Sequence, residues 1–174
     1  PLNSVVHSVG VLLTLSVLVG LTGCGYKLGY VQPASYQHVR SIYIPTFKND
    51  TLEPRSSVLV TNAVIQQFQR DGTYRVGSAN RADAVLEATI VDLKRRQARS
   101  ARFNTLRTSE LEFTLVVEYR FRNLRTNEIL DEGTIEGETS RFLDPNFQLS
   151  ERQALPIAAE RLAENMVSRL SEGW

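Results

Sequence analysis

Hydrophobic and polar residues alternate most clearly between residues 110 and 122. Every second side chain there is large and apolar, and most of the side chains between them are charged or polar. A period of two is typical of a β-strand that buries one face and exposes the other. The pattern therefore predicts a long strand with one buried face, which consists of Leu111, Phe113, Leu115, Val117, Tyr119 and Phe121.

Shorter segments earlier in the chain predict two further strands. Residues 41–46 are mainly apolar and predict a short strand that is ended by Pro45. Residues 48–51 contain Asn and Asp, which accept local backbone hydrogen bonds and favour turns. Residues 74–76 predict a second, very short extended segment. We therefore expect a strand at residues 41–46, a turn at residues 48–51 and a second strand at residues 74–76.

Two longer segments flank the alternating strand. Residues 82–97 are rich in Val, Ile, Leu and Thr and predict a strand, although their alanines leave a helix as the alternative. The expected inward face of this strand consists of Leu86, Ala88 and Ile90. Residues 124–128 predict a hairpin loop, and residues 129–142 predict a returning strand in which Gly133 and Gly137 fit a bulge or a close approach. Together these segments predict an antiparallel meander.

Two segments have the three- and four-residue spacing of amphipathic helices. The first covers residues 55–70 and is followed by the stop signal Asp71-Gly72. Its apolar face consists of Val58, Thr61, Ile65 and Phe68. The second begins either at Ser150, with Gln153 in capping-box spacing and a kink at Pro156, or near Pro156 itself. Its apolar stripe consists of Leu155, Ala159, Leu162, Met166, Val167 and Leu170.

The predicted order is β-α-β-β-β-β-α in a single domain over residues 41–174. This order favours an α+β fold in which two helices pack on one face of a mostly antiparallel sheet of about four strands. The composition, with 42% hydrophobic and 22% charged residues, is that of an ordinary globular protein. Residues 24–40 mix Gly, Pro, Ser and Tyr without periodicity, so we expect a tether before the domain.

An uncharged apolar run precedes the tether. Residues 9–21 have the length of the hydrophobic core of a secretory signal and fall short of the ~20 residues that a spanning helix needs. The segment Leu21-Thr22-Gly23-Cys24 then has the form of a bacterial lipobox. We therefore expect residues 1–23 to be a cleaved lipoprotein signal peptide, which leaves 174 − 23 = 151 residues. The alternative is an uncleaved membrane anchor or a buried apolar helix.

Cys24 is the expected lipidation site. Several acyl chains on one residue give stable anchoring, because each buried methylene contributes ~0.8 kcal/mol. The residue after the cysteine is Gly25 rather than Asp, which favours an outer-membrane location for the lipoprotein. The chain has one cysteine and two histidines, which excludes an intrachain disulfide and argues against a Cys/His zinc site. We expect no cofactor and no metal, only the covalent lipid.

No enzyme motif is present. The sequence has no Gly-rich phosphate loop, no H-E-x-x-H and no G-x-S-x-G. Several carboxylates alternate along the polar faces of two predicted strands, and a solvated sheet face explains them better than paired acid and base catalysis. These residues are Glu110, Glu112, Glu118, Glu132, Glu136 and Glu138. We therefore predict that the protein is not an enzyme, and a hydrolase with an unrecognised carboxylate site is the alternative.

A cationic stretch lies at one tip of the predicted sheet. Between residues 90 and 107 there are six Lys and Arg residues, and the one acid is Asp92. Guanidinium groups donate paired hydrogen bonds to phosphate and carboxylate groups, so the tip is a candidate anion site. The alternative is a hairpin end whose charges only block aggregation. Nucleic acid is disfavoured as a ligand, because a lipidated exported protein rarely meets it and aromatic residues do not alternate with the cations for stacking on bases.

Three segments together resemble the LPS-assembly lipoprotein (LptE-like) family. They are residues 24–28 (CGYKL), residues 44–54 (IPTFKNDTLEP) and residues 82–88 (ADAVLEA). No single segment is highly specific, since the central turn also resembles segments of other envelope lipoproteins, but the order of elements agrees over nearly the whole mature chain.

The resemblance implies an outer-membrane lipoprotein on the periplasmic face that plugs and assists an LptD-like β-barrel translocon in lipopolysaccharide assembly. It implies the barrel protein and lipopolysaccharide as partners. From charge alone we assign lipopolysaccharide binding to the cationic tip, with the candidate residues Lys94, Arg95, Arg96, Arg99 and Arg102. The alternative is a periplasm-facing regulatory lipoprotein that docks on a cell-wall or secretion machine.

Overall fold

The alternating segment forms the long strand at the centre of an antiparallel half-sheet. The computed structural model describes residues 36–100, 108–142 and 147–172. The strands are β1 (Ser41–Tyr43), β2 (Lys48–Asn49), β3 (Arg75–Val76), β4 (Ala84–Ser100), β5 (Thr108–Asn123) and β6 (Ile129–Phe142). The helices are α1 (Ser56–Asp71) and α2 (Phe147–Glu172). The α+β class is thus confirmed, and the segment at 82–97 is a strand rather than a helix.

The six strands form one mixed sheet in the order β3-β1-β4-β5-β6, and β2 pairs with β4 farther along the same edge as β1. Strands β4, β5 and β6 are antiparallel neighbours, whereas β1, β2 and β3 pair in parallel. The expectation of about four, mostly antiparallel strands is therefore wrong in both number and direction. The meander over β4 to β6 and its hairpin loop are confirmed.

Two local causes explain the difference. Lys48 and Asn49, which we expected in a turn, pair in parallel with Thr89 and Ile90, and Pro45 lies between this pairing and that of β1. Proline has no backbone N–H, so it interrupts the segment along the edge of β4. Helix α1 then returns the chain to its starting end, which makes β3 parallel to β1.

Helix α1 ends as predicted. Gly72 has a left-handed backbone (φ 78°), and its N–H donates to the carbonyl of Phe68 at 3.0 Å. Its buried residues are Ser56, Val60, Thr61, Val64 and Phe68. Val58, which we placed on the buried face, is instead 60% exposed.

Helix α2 begins at Phe147 and includes Pro156, so neither predicted start is correct. The whole predicted stripe of this helix is buried, as expected. The helix lies directly against β6 at Gly137, where a Cβ atom would clash with the carbonyl oxygen of Ala158 and lie 2.5 Å from the nitrogen of Leu162. The close approach expected at Gly137 is therefore confirmed.

The core lies between the sheet and the two helices. Three edge-to-face ring contacts link Tyr36 to Phe121, Phe121 to Tyr74, and Tyr74 to Phe68, with centroids 5.6 to 6.0 Å apart. The hydroxyl of Tyr74 donates to the carbonyl of Leu170 at 2.8 Å. The opposite face of the sheet carries mainly charged residues. No helix in the described segments is both long and apolar enough to cross a membrane.

Candidate functional site

The cationic candidates lie in the distal half of β4. Lys94, Arg95 and Arg96 are exposed and alternate between the two faces of the sheet. Arg95 pairs with Phe113, whose ring is buried on the helix side, so Arg95 lies on that side. Lys94 and Arg96 lie on the face without helices. The backbone of Arg99 pairs with Glu110, but its side chain and the whole of Arg102 lie outside the described part of the chain.

Two of these cations form surface ion pairs. Lys94 Nζ lies 3.2 Å from Glu136 Oε1, and Arg96 Nη2 lies 2.9 Å from Glu112 Oε1. Exposed pairs of this kind contribute about 0–1 kcal/mol, so exchanging the carboxylate for a phosphate group costs little. The outer face of the tip can therefore offer these two cations to an anionic ligand.

The same outer face continues as a row of cross-strand ion pairs toward the other end of the sheet. Arg120 Nε lies 3.1 Å from Glu132 Oε2, and Arg122 Nη2 lies 3.2 Å from Glu87 Oε1. Of the carboxylates that we predicted to lie on a solvated face, Glu112, Glu132 and Glu136 thus pair with cations. Within the described residues, no group of three or more His, Cys, Asp and Glu side chains is placed to hold a metal ion.

The end of the sheet opposite the tip holds the last residues of the predicted tether. Tyr36 and Val39 are buried there, and the imidazole Nε2 of His38 lies 3.1 Å from the amide Nδ2 of Asn123. The segment that follows Cys24, and Cys24 itself, precede the first described residue. The chain therefore enters the domain at residues 36–40, beside the end of β5, and we call this segment the entry point.

Asp83 fastens this entry point. Its carboxylate accepts hydrogen bonds from the backbone N–H groups of Arg40 (3.2 Å) and Ser41 (3.1 Å) and from the Ser41 hydroxyl (2.8 Å). Burial acts to raise the pKa of Asp83, but these hydrogen bonds and the nearby Arg125 guanidinium together hold it below the usual value. The charged carboxylate therefore ties β1 to the start of β4.

A second polar cluster, which the sequence analysis missed, fixes the end of α2 to the sheet. Asp131 accepts hydrogen bonds from the Tyr119 hydroxyl (2.8 Å) and from Arg169 Nε (3.1 Å) and Nη2 (3.3 Å). Burial, followed by the hydrogen bond to Asp131, raises the pKa of Tyr119 to about 12, and the same carboxylate raises the pKa of Arg169. The sequence signal that could have revealed this cluster is Asp131 itself, an aspartate at a strand position that faces the core, opposite the aromatic residues of β5.

The entry point and the cationic tip lie at opposite ends of the sheet. Lys94 is ten residues beyond Ala84 and Arg99 is fifteen, which at about 3.3 Å per residue places them roughly 33 and 50 Å from the start of β4. The domain is therefore elongated along β4, with its incoming chain at one end and its cations at the other.

Comparison with known structures shows where this fold recurs. Hypothetical protein CT253 from Chlamydia trachomatis superposes with a TM-score of 0.55 at 11% identity, covering 76% of this chain and 95% of that one. Protein XCC0632 from Xanthomonas campestris gives 0.54 at 10% identity, covering 77% and 85%. A minor lipoprotein from Acinetobacter baumannii gives 0.51 at 16% identity, covering 78% and 93%. At these identities the likeness concerns the fold alone.

Comparison with curated protein sequences found no match. A family model described as LptE, lipopolysaccharide-assembly, matches residues 39–170, which is more than half of the chain. The matched region runs from the buried residues at the entry point almost to the end of α2. This chain therefore belongs to the LptE lipopolysaccharide-assembly family.

Proposed function

We propose that this protein is an outer-membrane lipoprotein, anchored on the periplasmic face by lipid on Cys24, that plugs and assists an LptD-type β-barrel translocon. In this proposal the cationic tip binds lipopolysaccharide during its assembly, and no catalytic step is involved. The observation that carries the proposal is the separation of the chain's entry point from the cationic tip along one sheet.

The dimensions support a plug. The hydrocarbon core of a bilayer is about 30 Å thick, and the tip cations lie roughly 33 to 50 Å from the entry point by strand geometry. A domain held by lipid at one leaflet could therefore place its cations near the other leaflet, provided that a barrel encloses it. The charged outer face of the sheet suits a water-filled lumen better than lipid.

The chemistry of the tip supports an anionic lipid headgroup as the ligand. Lipid A and the inner core carry phosphates and carboxylates, which guanidinium groups bind with paired hydrogen bonds. Lys94 and Arg96 lie on one face and Arg95 on the other, so the tip can contact a multiply charged headgroup from two sides.

Isolation of the protein from detergent-extracted outer membranes tests the plug function. We expect a large β-barrel protein to co-purify, and a photocrosslinker at Arg120 on the outer sheet face to join the two chains. The substitution Cys24→Ser should lower the amount of this protein found in the outer-membrane fraction, since the lipid anchor is lost. Isolation without a barrel partner contradicts the plug proposal. Recovery with a cell-wall or secretion complex instead supports the regulatory alternative.

Charge reversal at the tip tests ligand binding. We expect the triple substitution Arg95→Glu, Arg96→Glu and Arg99→Glu to weaken binding of purified lipopolysaccharide by about tenfold or more at low salt, because the loss of even one charged hydrogen bond, roughly 1.5 kcal/mol, corresponds to a factor of about ten. The control reverses Arg120, Arg122 and Arg161, which makes the same change in net charge and breaks surface ion pairs elsewhere. Equal affinity of the two variants would show that the tip is only a solvated surface.

A further inference from the structure

The free edge of β6 is the feature that the proposed function leaves unexplained. This 14-residue strand is the last in the sheet order and pairs only with β5 among the described residues. At about 3.3 Å per residue it extends roughly 45 Å. An edge of this length presents a row of backbone N–H and C=O groups that point away from β5, which can template pairing with another extended chain.

The register shows which groups point outward. Asn165 on α2 donates its side-chain amide to the carbonyl of Glu136 at 2.8 Å, so this carbonyl points away from β5 and already has one donor. At the hairpin, the N–H of Asn123 donates to the carbonyl of Glu128. Backbone-bonded positions alternate along an antiparallel pair, so the residues of β6 whose side chains face the helices are the ones whose backbone bonds to β5. The outward backbone groups therefore belong to Glu132, Thr134, Glu136, Glu138 and Ser140.

The side chains of these same residues lie on the outer sheet face and make the edge acidic. Glu132 and Glu136 pair with Arg120 and Lys94 but remain about half exposed, and Glu138 is also exposed. No Lys or Arg occurs on β6 before Arg141. A chain pairing with this edge thus meets carboxylates at alternate positions on one face.

Two copies of this protein fit the edge poorly. Pairing β6 with β6 in either direction brings glutamates of one copy close to those of the other, and like charges opposite each other destabilise a sheet. An incoming strand with Lys or Arg at alternate positions gains cross-strand ion pairs instead. Charge complementarity therefore selects a different chain, with cationic residues spaced by two.

We propose that the free edge of β6 binds an extended segment of a partner protein by β-strand addition, and that Glu132, Glu136 and Glu138 select a segment with Lys or Arg at alternate positions. Backbone hydrogen bonds from the outward groups other than the Glu136 carbonyl supply affinity, and the carboxylates supply register and specificity. This inference does not require the partner to be a barrel protein or the ligand to be lipopolysaccharide.

A short fluorescent peptide of alternating lysine and valine, added to the purified protein in detergent, tests this surface. We expect saturable binding and slowed hydrogen exchange at the outward amides of β6, with much weaker binding of a glutamate–valine peptide. Binding should weaken about tenfold in the variant Thr134→Pro, which removes an outward N–H without breaking the ladder to β5. Circular dichroism and the unfolding temperature show whether this variant keeps its fold.

The charge contribution has its own pair of variants. Glu138→Lys should reduce affinity for the lysine peptide several-fold at low salt, whereas Glu160→Lys on the exposed face of α2 should leave it unchanged. Absence of exchange protection on β6 in the unmodified protein, or equal binding by folded Thr134→Pro, would overturn the proposal. Neither readout involves lipopolysaccharide or a barrel, so it can fail while the proposed function stands.

Discussion

Replacing Gly137 with alanine should destabilise the domain by about 3 kcal/mol, because overpacking forces a helix away from the strand beneath it. The new methyl group would clash with the carbonyl oxygen of Ala158 and approach Leu162 Cβ to 2.6 Å. Both positions belong to the middle of α2, so relief requires the helix to move as a unit. For a domain of this size we expect the unfolding temperature to fall by roughly 6 to 12 °C.

Gly133 provides the matched control on the same strand. An added Cβ there would lie 3.6 Å from Tyr119 Cε1, an ordinary van der Waals contact. Gly133→Ala should therefore change the free energy of unfolding by less than about 0.5 kcal/mol. Equal stability of the two variants, measured by chemical denaturation, would contradict the tight packing of α2 on β6.

Replacing Asp131 with alanine should destabilise the domain by about 2 kcal/mol. The change leaves the Tyr119 hydroxyl and the Arg169 guanidinium without their common acceptor, and hydrogen bonds to charged groups contribute roughly 1.5 to 3 kcal/mol each. The expected loss stays near the lower end because the Arg169 side chain is 42% exposed and can turn to water.

A titration separates this effect from a general loss of packing. Part of the raised pKa of Tyr119, about 12 in the intact protein, comes from the hydrogen bond to Asp131 and from its charge. In Asp131→Ala we therefore expect the ultraviolet titration of this tyrosine to move toward lower pH. Glu132→Ala removes only a surface pair with Arg120, so it should change both stability and titration little. An unchanged Tyr119 titration in Asp131→Ala would contradict the role assigned to this cluster.

Local periodicity predicted those elements whose burial depends on their own sequence. All six residues of the predicted buried face of β5 are buried, and so is the whole stripe of α2. Helix α1 shows the limit of this reasoning, because Val58 and Val60 both fit a three- and four-residue spacing. Only the position of the sheet decides that Val60 faces the core.

Features that depend on pairing between distant segments could not be predicted. The turn residue Asn49 still accepts the N–H of Thr51 at 3.0 Å, yet it also forms a strand with β4, and nothing in its local sequence signals this. The cluster at Asp131 likewise exists because the β5–β6 register and the length of α2 bring three distant residues together. The cationic tip was visible as a run of charges, but its division between two faces follows from the strand geometry.

The entry point has a mechanical consequence. The incoming chain joins β1, which lies between β3 and β4 in parallel pairing, and Asp83 bonds to the backbone N–H groups of Arg40 and Ser41 at that junction. A load between the membrane and a partner holding the far end of the sheet would run lengthwise along the strands. Such a load places the hydrogen bonds of β1 in shear, so that they resist together instead of opening one after another.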